Sequence, residues 1–207
     1  MTEMMTATKA LVELKMLDKR INQKIAESAF VAVVRGQDKK TTQQVGLDKA
    51  DKDIKAAKQS IVDMIARRNA IKTALVVANA KSTVTVNGKT STVAEAIERK
   101  NSISYEEAFL TQLKNQYAAC LLHIENHNAN VEKKLQSILK AVADSEPEKA
   151  SFETTVKTLR SVEEETLFDP IGITNVITKL QDDIDKFKAE VDTALSVINA
   201  QTIIEID

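Results

Sequence analysis

The chain has 207 residues, with 29 Lys and Arg, 30 Asp and Glu, 43% hydrophobic residues and 3% aromatics. That length buries a real core, while four Gly and two Pro leave too little turn material for sandwiches, barrels or doubly wound α/β folds. A net charge of −1 provides no field for nucleic acid or an anionic membrane, and the single Cys120 excludes a disulfide framework or a multi-thiolate zinc site.

The N-terminal stretch is mixed in charge and lacks the apolar core of a secretory signal, which leads to an expectation of synthesis in the cytoplasm. Thr6 and Thr8 are both suited to cap a first helix, whose apolar positions Ala10, Leu14, Leu17, Ile21 and Ile25 make one stripe. Phe30-Val31-Ala32-Val33-Val34 is apolar and β-branched and is followed by the turn-like 35–40, so it reads as a short strand. A second helix should run from about Asp48 to Ala80. Ile54, Ala57, Ile61, Met64, Arg68, Ile71, Leu75 and Ala78 alternate spacings of three and four, which is a heptad seam. Arg68 is the one charge on that seam.

Asn87-Gly88, flanked by Thr83–Val86 and Lys89–Ser91, carries the positive φ demand of a type I′ hairpin turn. Thr92 with Glu95 then has the spacing of a capping box. The helix it opens can be followed through Leu110, Leu113, Tyr117, Cys120, Ile124, His127, Val131 and Ile138. Asn101–Ser104 is the expected break, because Ser104 and Glu107 offer a second box; unbroken, the helix would be a rod of about 75 Å. Asp144-Ser145-Glu146-Pro147 should end it. Phe152, Val156 and Leu159 fit a further helix weakened by three threonines. A last helix follows on Ile177, Leu180, Ile184, Phe187, Val191, Ala194 and Ile198, stopping at Asn199 before a terminal strand 202–206.

These parts predict a mainly α (α+β) fold. It is a long antiparallel bundle or coiled coil of three to four helices, forming one domain over 1–207. A small sheet built from about 30–34, 83–91 and 202–206 would cap it, since an isolated hairpin is marginal in water. The strand 202–206 should pair with 30–34 or with the hairpin.

Candidate chemistry is sparse. His123 and His127 lie i, i+4 on one helix face, a spacing that places two imidazoles on one metal ion, and Cys120 lies on the same stripe. The His-Ile-Glu-Asn-His order differs from the metalloprotease pattern, and a structural zinc needs further ligands, so no metal or other cofactor is expected. The acidic runs Glu163–Glu165 and Asp182–Asp185 read as solvated helix surface. No glycine-rich phosphate loop is present, and without Trp an aromatic platform for bases is lacking. Charge is divided along the chain: residues 1–100 carry 19 Lys and Arg against 11 Asp and Glu, and residues 101–207 carry 10 against 19. That split either neutralises within the chain or attracts one copy to another.

Asn79–Thr83, Asn87–Thr90 and Val93–Lys100 resemble the DIP1984-like (septicolysin-annotated) family of small helical bacterial proteins, which couple a long helix, a polar hairpin and a comparable helix start. The general style of compact helices with a β tail is similar to small structural proteins of tailed-phage virions. Neither resemblance brings a catalytic residue. The expected role is a non-enzymatic structural or assembly protein, a homo-oligomer with itself and other structural proteins as partners, in a setting such as a virion. Its interface candidates are Ile204, Ile206 and Arg68. The alternatives are a helical adaptor that binds through a coiled-coil face and, more distantly, a metal-binding protein using His123 and His127.

Overall fold

A computed structural model describes residues 2–143 and 149–206. In chain order the elements are β1 (Glu3–Thr6), α1 (Ala7–Glu27), α2 (Leu47–Lys81), β2 (Thr83–Val86), β3 (Lys89–Thr92), α3 (Val93–Ala143), α4 (Lys149–Glu163), α5 (Ile173–Gln201) and β4 (Ile203–Ile206). The fold is mainly helical, as the periodicity predicts. The chain expected as one domain groups into two compact units, Met1–Asn101 with Phe187–Asp207, and Ser102–Lys186.

In the first unit, α1 and α2 form an antiparallel pair. Ala10, Leu14, Leu17 and Ile21 are buried against Ile71 and Leu75, with Met64, Ala74 and Ala78 partly buried beside them. The seam of α2 therefore faces inward along its length, with Ile61 also buried. Arg68 lies at the flank of that seam and bonds to Asp18 through Nε. Neighbouring Arg67 bonds to Glu13 at 2.9 Å and to Glu3 at 2.7 Å. Those two carboxylates, chiefly through the hydrogen bond from Arg67 to Glu13, raise its guanidinium pKa above the ordinary value.

The expected single sheet is instead two two-stranded sheets, β1 with β4 and β2 with β3. The hairpin forms as read: Asn87 and Gly88 take φ of 50° and 69°, and Val86 pairs with Lys89. The terminal strand pairs neither with 30–34 nor with the hairpin. It pairs antiparallel with β1, with Met5 opposite Ile204 and Glu3 opposite Ile206. The methionines of β1 carry little strand propensity, so a partner, not local sequence, makes this strand. The 30–34 strand does not form. Phe30–Val34 remains exposed, with a bend at Phe30 and only a bridge from Val34 to Thr41 and a bond from Thr42 N to Val33 O at 2.8 Å. Five β-branched or apolar residues without a neighbouring strand leave their backbone to water.

The capping box at Thr92 closes reciprocally, with Thr92 N bonding Glu95 Oε2 at 2.7 Å and Glu95 N bonding Thr92 Oγ1 at 3.1 Å. From there α3 runs unbroken for 51 residues. The predicted break at Asn101–Ser104 is absent, because none of these residues is barred from helical φ and ψ. Along α3, Leu110, Leu113, Val131 and Leu135 are buried, whereas Cys120 and Ile138 are exposed. A heptad reading drifts off a straight helix over so many turns, which moves the buried stripe from 138 to 135. The stop expected at Asp144–Pro147 and the packing of Phe152 lie outside the described residues. On α5, Ile184, Phe187 and Val191 are buried as predicted; the helix passes Asn199 and ends at Gln201.

Candidate functional site

In the second unit, the segment that follows α4 is held on α3 by side chains, because it has no strand partner of its own. Asn128 faces Glu165 with both halves of its amide: Nδ2 donates to Glu165 O at 2.9 Å, and Glu165 N donates to Oδ1 at 2.9 Å. The preceding residue of α3 is His127. His127 Nε2 lies 2.8 Å from Glu163 O. A carbonyl only accepts, so Nε2 carries the proton and Nδ1 of the neutral ring presents a lone pair. That Nδ1 stands 3.7 Å from Glu165 Oε1, and His123 Nε2 stands 3.0 Å from Glu165 Oε2. The two rings are stacked, with centroids 6.4 Å apart.

The i, i+4 spacing thus brings both histidines to one carboxylate. Glu165 Oε2 is buried and receives no well-aligned hydrogen bond, despite the short approach of His123. Two acceptors, His127 Nδ1 and Glu165 Oε1, face one another at 3.7 Å. Cys120 lines the same open groove with His123, Ile124, Glu165 and Phe168, but is exposed and outside the hydrogen-bonded cluster. Among the described residues no three His, Cys, Asp or Glu converge closely enough to hold a metal ion. Around the clamp, Arg160 pairs with Glu132 and Lys134 with Glu163 at 3.4 Å. Sequence reasoning found the histidines, missed Asn128, and read Glu165 as solvated helix surface, whereas it lies beyond the end of α4 with its carboxylate turned to the two histidines. Asn128 follows His127 directly in sequence, and an amide there was the available signal.

The interface candidates are placed differently. Ile204 and Ile206 point into the core beside Met5 and Ile71, so neither is available to a second molecule. Arg68 is engaged within the chain by Asp18. One exposed apolar stretch lies at the loop end of the α1–α2 pair, where Val31 and Val33 are 83% and 68% accessible. Beside them Ala32, Thr42, Val45, Ile54 and Ala57 line a cavity of about 390 Å³. No helix among the described residues is long and apolar enough to cross a membrane.

No family model, curated protein or solved structure matches this chain. The resemblances seen in the sequence therefore rest on the residues that carry them.

Proposed function

We propose that this protein is a non-enzymatic structural component that assembles with copies of itself in a larger particle, a tailed-phage virion being the setting its style suggests. The observation that carries the reading is the run Ser28–Val34, seven uncharged residues that are mostly exposed, lie in no strand and are bridged only at their end, from Val33 and Val34 to Thr42 and Thr41. Such a segment is a template for strand addition. Antiparallel pairing of two copies centred on Val31 sets Ala29 of one opposite Val33 of the other and carries Arg35 toward Glu27, the last residue of α1, so the charges agree with the apolar register. A second copy fits this edge on both counts.

Sedimentation velocity over a concentration series tests it. The wild-type chain is expected to self-associate, and Val31→Lys with Val33→Lys is expected to give a monomer with unchanged helical circular dichroism. A wild-type chain that is monomeric throughout sinks self-assembly. The adaptor reading would then lead, with Leu11, Val12 and Met16 exposed on α1 as its contact face. A stoichiometric zinc ion lost in His123→Ala would instead promote the metal-binding reading.

A further inference from the structure

We infer that the first unit is two copies of one β–α–α–β repeat fused in a single chain, related by a two-fold axis and joined by exchange of their last strands. The first copy is β1, α1, α2 and β2; the second is β3, the start of α3, the end of α5 and β4.

The sequence carries a trace of it. Leu75-Val76-Val77-Ala78-Asn79-Ala80-Lys81-Ser82 and Leu195-Ser196-Val197-Ile198-Asn199-Ala200-Gln201-Thr202 share Leu, Val, Asn and Ala in register and end on a hydroxyl. Thr6 and Thr92 each precede an alanine by four residues, Ala10 and Ala96, and both alanines are buried.

The backbone repeats more faithfully than the side chains. Glu3 pairs with Ile206 as Lys89 pairs with Val86, and Thr6 with Ile203 as Thr92 with Thr83. Each threonine caps its helix alike, with Lys9 N on Thr6 Oγ1 at 3.3 Å and Glu95 N on Thr92 Oγ1 at 3.1 Å. Each strand enters its helix through the same bond, Ala7 N to Thr202 O at 2.8 Å and Val93 N to Ser82 O at 2.9 Å. Each long helix closes alike, Ser82 N on Ala78 O and Thr202 N on Ile198 O, both at 2.8 Å.

Contacts between helices repeat too. Arg67 meets Glu13, and at the equivalent positions Phe187 meets Arg99, whose guanidinium carbon lies 4.3 Å from the ring centroid. The chemistry has changed while the geometry has stayed. The equivalent residues Ser82 and Thr202 touch one another, Oγ to Oγ1 at 3.4 Å, and self-contact of equivalent positions marks a two-fold axis. Helices pack within a copy, yet β2 pairs with β3 and β4 with β1, so each copy lends its last strand to the other. The copies differ where α1 and α2 are joined by 28–46 while the unit Ser102–Lys186 stands between the matching parts of α3 and α5.

If β1 and β4 are a hairpin whose turn is missing, the chain can be reopened at its counterpart. A circular permutant that joins Ile206 to Glu3 through Asn-Gly and begins and ends at Gly88 and Asn87 should keep its helical ellipticity and melt in one cooperative step. In the native chain order, Ser82→Cys with Thr202→Cys in a Cys120→Ser background should close an intrachain disulfide on mild oxidation. Should the permutant fail to fold, the cysteine pair decides alone. Thiols that stay free, or that link separate molecules, overturn the two-fold junction.

Discussion

Thr92 and Glu95 show how much a few atoms govern. The Thr92 backbone N–H, aided by its hydroxyl, holds the Glu95 carboxyl below its ordinary pKa. A carboxylate lowered in the folded state stabilises above its unfolded value of about 4.3 and loses that contribution as pH falls through the folded value. Glu95→Gln should therefore narrow the gap between melting temperatures measured at neutral and acidic pH; an unchanged gap would remove this cap from the acid response. Its counterpart Thr6 has no such carboxylate, and Thr6→Ala should cost about 1 kcal/mol in denaturant melts. At the clamp, Asn128→Ala removes the acceptor for Glu165 N. A lost bond of about 1 kcal/mol should speed exchange of the Glu165 amide by roughly fivefold to tenfold in hydrogen-exchange measurements. A rate equal to wild type would show that the segment is held by other contacts.

Elements differ in how far the sequence announces them. The seams of α2 and α5, the Asn-Gly turn and the Thr92 cap are legible because each is a local rule: heptad spacing, positive φ, a reciprocal bond. Ile71 is fully buried, and Ile71→Ala should cost about 2–5 kcal/mol, while Ile138→Ala, on the exposed side of α3, should stay within about 0.5 kcal/mol. The strands are less legible for a physical reason. Phe30–Val34 has the composition of a strand and no partner, whereas Met4 and Met5 lack the composition and find β4. Pairing is a tertiary decision, made here by residues about 200 apart in sequence. The continuity of α3 gives a sharper test. Tyr105 is 78% exposed, so Tyr105→Pro loses little packing. A helix restarting at Ser104 would accept proline at its first position; an unbroken one should lose about 3 kcal/mol. Glu165 reads as solvated surface for the same reason that the partner of β4 is not legible, since its own partners lie on α3, far away in sequence.

For the whole molecule, ion pairs inside each half leave its charge excess unchanged, and only pairs between the basic first half and the acidic second half offset it. Arg67 and Arg68 bond Glu13 and Asp18, and Arg160 bonds Glu132, while Lys100 reaches across the halves to Asp192. Exposed pairs of this kind contribute at most about 1 kcal/mol each. Association through the apolar run 28–34 should thus survive 1 M NaCl in sedimentation velocity, with salt slowing only the encounter. Copies that separate in high salt would shift the assembly contact from the apolar edge to the charged faces. The pairing of β1 with β4 has a mechanical consequence as well. Tension transmitted through the chain before Glu3 and after Ile206 pulls on opposite strands at the same end of their ladder. The load then falls on one rung at a time, a zipper rather than a shear lap, so this joint should yield at low force in single-molecule stretching. Once it opens, Ile204 and Ile206 leave the core, and the apolar edge they uncover becomes available to a neighbour only under strain.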